Sequence, residues 1–178
     1  VDGAYMEELH SLISNGHIAG LILTPPFSES KELIETLDDR DIRHVRILSG
    51  DMESDSPGPC VLIDDYRAAY EITRYLVGLG HRDIAFLAGS HEHDTSSENR
   101  QRGYHAALTD ADIKPQASLI VPGEYTFNSG SERTSTLLGQ QQPPTAIFAC
   151  NDEIASGALF AARIKQVAVP QQLSIVGF

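Results

Sequence analysis

Apolar residues along this chain alternate between a spacing of three to four positions and short continuous runs. Over residues 2–15 the stripe Met6, Leu9, Leu12 and Ile13 predicts a helix that Gly16 stops. Residues 18–23 read as a buried strand, halted by Thr24-Pro25-Pro26. Leu33, Ile34 and Leu37 mark a helix over residues 30–40, and residues 45–48 form the next strand. Residues 49–59, rich in Gly, Pro, Ser and Asp, read as a loop. Val61-Leu62-Ile63 is a short strand running into Asp64-Asp65.

Beyond that point Tyr70, Thr73, Leu76 and Val77 share one side of a helix over residues 66–79, with Gly80 as its C′ residue. Strands are predicted at residues 83–88, 119–121, 146–150 and 173–176, and helices at 129–138 and 153–162. Thr95-Ser96-Ser97-Glu98 fits a capping box, starting a helix that reaches about residue 108. This alternation implies parallel βαβ units, in two groups that meet near the 49–59 loop.

With 178 residues the chain suffices for one large domain or two small lobes. Its 41% hydrophobic and 21% charged residues are ordinary for a globular protein. The net charge of −12 disfavours nucleic acid as a partner of these residues, since phosphate contacts need clustered Lys and Arg. No apolar run approaches membrane-spanning length, and no signal peptide opens the chain. Cys60 and Cys150 lie in apolar, strand-like contexts, where reduced buried thiols are expected, and with them a cytoplasmic location.

The run Ala146-Ile147-Phe148-Ala149-Cys150 ends abruptly in Asn151-Asp152, before a small-residue helix. In an open parallel sheet that junction is the carboxyl end of a strand, where ligands bind. Asn151 both donates and accepts there, so it is assigned to a ligand, with a helix cap as the plainer alternative, and Asp152 to the helix N-terminus. Arg100 lies on the first turns of its helix, where a guanidinium fork suits a hydroxyl-rich or anionic ligand. The plainer alternative is a surface ion pair with Glu98 or Glu132. His91, His93 and Asp94 are too few for a metal centre and read as a solvated loop. There is no nucleophile elbow, no phosphate loop and no dinucleotide fingerprint, so neither an enzyme nor a cofactor is expected.

Four stretches together carry a family resemblance: Leu79-Gly80-His81-Arg82-Asp83-Ile84-Ala85-Phe86-Leu87; Glu98-Asn99-Arg100-Gln101-Arg102-Gly103-Tyr104; Pro144 to Ala149 with Asn151-Asp152; and Val169-Pro170 with Leu173 to Phe178. In this order and spacing they resemble the effector-binding domain of LacI/GalR-type (lac repressor family) transcription regulators. The resemblance implies an α/β, two-lobe, periplasmic-binding-protein-like fold, its parallel sheets flanked by helices. Residues 1–63 would be part of the N-terminal lobe and residues 64–178 the C-terminal lobe. The helix-turn-helix headpiece, the first βαβ of the N-terminal lobe and the C-terminal return segments would be absent, a chain truncated at both ends.

The implied function is to bind a small-molecule effector, a sugar, in the cleft between lobes, and so to alter operator binding by a repressor. Operator DNA would be reached only through the absent headpiece, the partner would be a second copy in a homodimer, and no membrane would be involved. A periplasmic sugar-binding protein of the same fold is the alternative. Among residues, the resemblance matches Arg100 to the ligand-clamping arginine and Asn151 to the strand-end contact. It gives Ser96 either a ligand or a capping role. It sets Tyr125 in a loop where an aromatic stacks on the ligand, and matches Thr24 by position at a strand end. Asp64 accepts a ligand hydroxyl or, as favoured, caps the next helix. His81 reads as structural, tying down the turn after Gly80.

Overall fold

The computed structural model describes Ser11 and residues 18–25, 27–49, 58–89 and 95–178. Apart from Ser11, the helix expected over residues 2–15 lies outside the described residues, as do most of the 49–59 loop and His91, His93 and Asp94. The chain divides into two compact units, Val1–Ile63 and Asp64–Phe178.

The first unit holds β1 (Leu21–Leu23), α1 (Lys31–Asp39), β2 (His44–Ser49) and β3 (Cys60–Ile63). Its strands are parallel, in the order β1-β2-β3. The Ser30 hydroxyl caps α1 by accepting from the Leu33 amide at 3.3 Å. Leu33, Ile34 and Leu37 then turn inward onto Leu23, as their spacing requires.

The second unit contains α2 (Asp65–Gly78), β4 (Ile84–Leu87), α3 (Thr95–Asp110), β5 (Ile120–Val121), α4 (Phe127–Leu137), β6 (Ala146–Ala149), α5 (Asp152–Ile164) and β7 (Ser174–Val176). The parallel sheet runs β5-β4-β6-β7. From β4 to β5 the chain moves one way across the sheet, and from β5 to β6 it moves back. Right-handed crossovers therefore put α3 and α4 on opposite faces. α2 packs with α3, and α4 packs with α5. The strand order reverses between β4 and β6, so a crevice opens at their carboxyl ends.

Both inner strands are fully buried, which is why they read as continuous apolar runs rather than alternating ones. Phe86 stacks on Tyr104 with centroids 5.3 Å apart and meets Phe148 edge-on at 5.1 Å. The Tyr104 hydroxyl donates to the Ile84 carbonyl at 2.8 Å, and burial pushes its pKa up. Glycine lets helix backbones touch: a Cβ at Gly103 would lie 2.2 Å from the Tyr66 carbonyl oxygen, and one at Gly157 2.1 Å from that of Phe127.

Helix ends differ from the sequence reading where no glycine marks them. Gly80 is the expected C′ residue of α2, with His81 N–H bonding to Leu76 and Gly80 N–H to Val77. The same closing pattern recurs after α3 at Asp112 and after α5 at Gln166, both non-glycine residues with positive φ. α3 and α5 accordingly run two residues longer than expected. The capping box at residues 95–98 is not formed. Thr95 is already helical, and the Ser97 hydroxyl is buried, accepting from the Gly89 amide at 3.1 Å. His81 is structural, but it works between strands: its Nδ1 lies 2.9 Å from the Thr145 hydroxyl and its Nε2 2.9 Å from that of Ser174.

Candidate functional site

At the carboxyl edge of β4 and β6, side chains from several elements converge on Cys150. Arg100, three turns or fewer into α3, is only 14% exposed in its side chain. Its Nε donates to Asp65 Oδ1 at 2.7 Å, and that carboxylate is 2% exposed. Nη1 donates to the Cys150 carbonyl. The guanidinium carbon lies 3.6 Å above the centre of the Phe178 ring, a cation–π stack. The surface pair with Glu98 or Glu132 is therefore not formed; the partner is Asp65 at the first turn of α2. Nη2 makes no hydrogen bond among the described residues. Arg100 is thus a planar donor held on one edge and one face, with its outer end left over.

Tyr125 follows β5 and lies half-buried. Its hydroxyl is 3.6 Å from the Cys150 sulfur, and its ring occupies the space where a side chain at position 89 would be: a Cβ on Gly89 would come within 2.1 Å of the ring. Asn151 takes the cap role. It is the N-cap of α5, its Oδ1 accepting from the Ile154 amide at 2.8 Å, and Asp152 is the first helical residue. Its Nδ2 donates to the Tyr125 carbonyl at 3.3 Å. The helix-cap alternative is thus formed: the extended backbone at Asn151 points its short amide at the orphan helix amides, while Nδ2 holds the Tyr125 loop. Asn151 supports the site by fixing the loop that carries Tyr125.

Ser96 sits one helical turn before Arg100 on the same face, within the helix and not at its cap. Asp64 is exposed and caps α2, accepting from the Arg67 amide at 2.9 Å, which is the favoured alternative. Thr24 is exposed at the end of β1 in the first unit, and its carbonyl accepts from the Ser28 amide at 3.1 Å. The second unit therefore brings together Arg100, Tyr125 and Asn151 around Cys150; Thr24 belongs to the first unit.

Sequence reasoning missed two residues here. Asp65 was noted only as the neighbour of Asp64, yet Asp64 is exposed while Asp65 is buried at 2% exposure. Arg133 was not singled out, yet it is only 8% exposed. Its Nη1 donates to the carbonyls of Ala88 at 2.6 Å and Val121 at 2.8 Å, Nη2 to Glu124 at 3.1 Å and Nε to Ser129 at 3.1 Å. One side chain thus pins the ends of β4 and β5 and the Tyr125 loop. Desolvation lowers its pKa. The signal was present: Gly130, Arg133, Thr134 and Leu137 form the buried helical stripe. Cys150 is buried as expected, whereas Cys60 is only partly so; both are free thiols.

The profile of the periplasmic binding protein-like domain matches residues 73–178. The chain belongs to that family. Within the family its relatives are LacI-type regulators, in keeping with the resemblance. It is 34% identical to the HTH-type transcriptional repressor PurR of Pectobacterium carotovorum over 174 residues, 94% of this chain and 49% of that protein. The structure of a LacI-family regulatory protein from Chloroflexus aggregans superposes with a TM-score of 0.79 at 30% identity, covering 97% of this chain and 61% of that one. A CelR transcriptional regulator solved with cellobiose gives 0.79 at 26% identity, covering 99% and 53%. The chain spans less than half the length of the curated relatives it matches. These relatives regulate transcription and are not enzymes.

Proposed function

We propose that this chain is the effector-binding region of a LacI-type transcription regulator, a repressor, and that its effector is a hydroxyl-rich small molecule, a sugar. The carrying observation is Arg100, fixed by Asp65, Cys150 and Phe178 with Nη2 unspent, beside a half-buried tyrosine at the sheet's switch point. Tyr125 offers a flat face for sugar C–H groups and Arg100 donors for hydroxyls, which need partners once stripped of water. Ser96 and Asn151 are weaker members of this site, and Asp64 serves α2. The binding of cellobiose by CelR supports the sugar class.

Effector binding would act by favouring one of two arrangements of the protein, through its different affinity for each. Operator contact would belong to residues outside these 178, whose net charge of −12 suits no phosphate backbone. A homodimer is supported by the exposed apolar residues Leu159, Phe160 and Ile164 on α5, with Phe127 packed 5.5 Å from Phe160. No helix among the described residues is long and apolar enough to cross a membrane. A cytoplasmic regulator is favoured over an exported binding protein by the relatives.

The test is a thermal-shift screen of the intact protein against neutral mono- and disaccharides, followed by operator binding with and without each hit. A sugar that raises the melting temperature and also changes operator affinity is expected. Stabilisation by no sugar in a broad panel, or by sugars that leave operator affinity unchanged, would overturn the reading.

A further inference from the structure

The charges around Arg100 carry information that the arginine alone does not. An arginine at a strand edge ordinarily invites an anion, because phosphate and carboxylate match its fork. Here the fork's Nε edge is already occupied by a carboxylate of the chain itself, at 2.7 Å and 2% exposed. An incoming anion could not displace Asp65 into water. It would meet a neutral pair and feel the buried negative charge a few ångström behind the cation.

The rest of the carboxyl edge does not redress the balance. Arg133 is cationic, but its bonds go to the backbone carbonyls of Ala88, Val121, Ser129 and Glu124. Glu124 follows β5, while Asp152 and Glu153 open α5 immediately after β6, all three exposed. Among the described residues of this unit, the edge thus carries two guanidiniums and the carboxylates of Asp65, Glu124, Asp152 and Glu153, the last accepting from the Phe127 amide. A neutral hydroxyl loses nothing in this field, since it needs only a donor, and Nη2 supplies one.

We propose that Asp65 is a positioning residue that both fixes the Arg100 guanidinium and neutralises it, so that the site selects uncharged hydroxyl-rich effectors and rejects phosphorylated or carboxylated ones. The inference rests on Arg100 being the effector arginine, but its test needs no knowledge of the effector.

The probe is inorganic phosphate, titrated into the intact protein by calorimetry. Wild type shows no binding that depends on Arg100. Asp65→Asn keeps an acceptor for Nε and removes one negative charge close to the cation, which at short range strongly changes the energy of a nearby anion. Phosphate affinity rises at least about tenfold, and Asp65→Asn/Arg100→Gln abolishes the gain. A merely structural role for Asp65 would weaken folding and create no anion binding. Wild type binding phosphate through Arg100 as tightly as Asp65→Asn, or no gain in the variant, overturns the inference.

If Asp65→Asn does not fold, the Nε–H resonance of Arg100 in wild type decides by NMR. Phosphate leaving it unmoved supports the inference, and saturable movement refutes it. A protein that gains phosphate binding in Asp65→Asn yet binds no sugar keeps this inference and loses the sugar reading.

Discussion

Removing Arg100 should destabilise the protein as well as weaken its ligand binding. From sequence, an arginine at a binding edge is dispensable for folding. In the structure it is the cation partner of a carboxylate that is 2% exposed, and the donor to the Cys150 carbonyl. Arg100→Ala strands both groups. Breaking a buried ion pair by deleting one partner costs ~3–5 kcal/mol. The Arg100 side chain keeps 14% exposure, so water partly re-solvates the gap and the lower end, about 3 kcal/mol, is expected. Deleting both partners removes the uncompensated charge, so Asp65→Ala/Arg100→Ala should be less destabilised than the two single losses added, by about 1–3 kcal/mol. The assay is urea unfolding followed by far-ultraviolet circular dichroism, since the chain has no tryptophan. A loss below about 1 kcal/mol for Arg100→Ala, or strict additivity in the cycle, would show that the pair is not coupled as drawn.

Three further outcomes follow from packing and burial. Gly157→Ala should cost ~1–3 kcal/mol, because its Cβ would sit 2.1 Å from a backbone oxygen that cannot move alone, whereas Gly78→Ala, with nothing within 4 Å, should be neutral or stabilising; paired unfolding curves compare them. Gly89→Ala should displace the Tyr125 ring without unfolding the sheet, so sugar affinity falls while the unfolding midpoint changes little; retained affinity would separate Tyr125 from the ligand. Stability should fall as pH rises above ~10: the unfolded Tyr104 phenol then ionises while the buried one keeps its proton, so the folded state binds more protons. In Tyr104→Phe that alkaline slope should flatten, at a cost of about 1 kcal/mol for the lost bond to the Ile84 carbonyl.

Fold class was legible because each layer left a periodic trace. Ile84 to Leu87 and Ala146 to Ala149, buried on both faces, read as unbroken apolar runs, and Leu33, Ile34 and Leu37 read as a helical stripe. Helix ends were legible at Gly80 and not at Asp112 or Gln166, because aspartate signals a positive φ far more weakly than glycine and glutamine does not signal it. At the site, Arg100 and Tyr125 could be picked out by motif, but what holds them could not. Asp65 and Arg133 act through contacts 35 and 45 positions away in sequence, set by the packing of α2 on α3 and of α4 under the strand ends. At Asn151 the cap alternative was legible from residue type alone, but the bond of its Nδ2 to the Tyr125 carbonyl was not.

The central claim is that a neutral sugar is held at the carboxyl edge of β4 and β6 by Arg100. Arg100→Lys tests it most directly, since an ammonium can still pair with Asp65 and preserve the fold. It cannot also keep the donor to Cys150 and the free outer end of the fork. Calorimetric titration of the intact protein with a sugar identified by thermal shift should show at least about a tenfold loss of affinity in Arg100→Lys, with a smaller loss of stability than in Arg100→Ala. Unchanged affinity in a folded Arg100→Lys protein would place the sugar elsewhere and contradict the account.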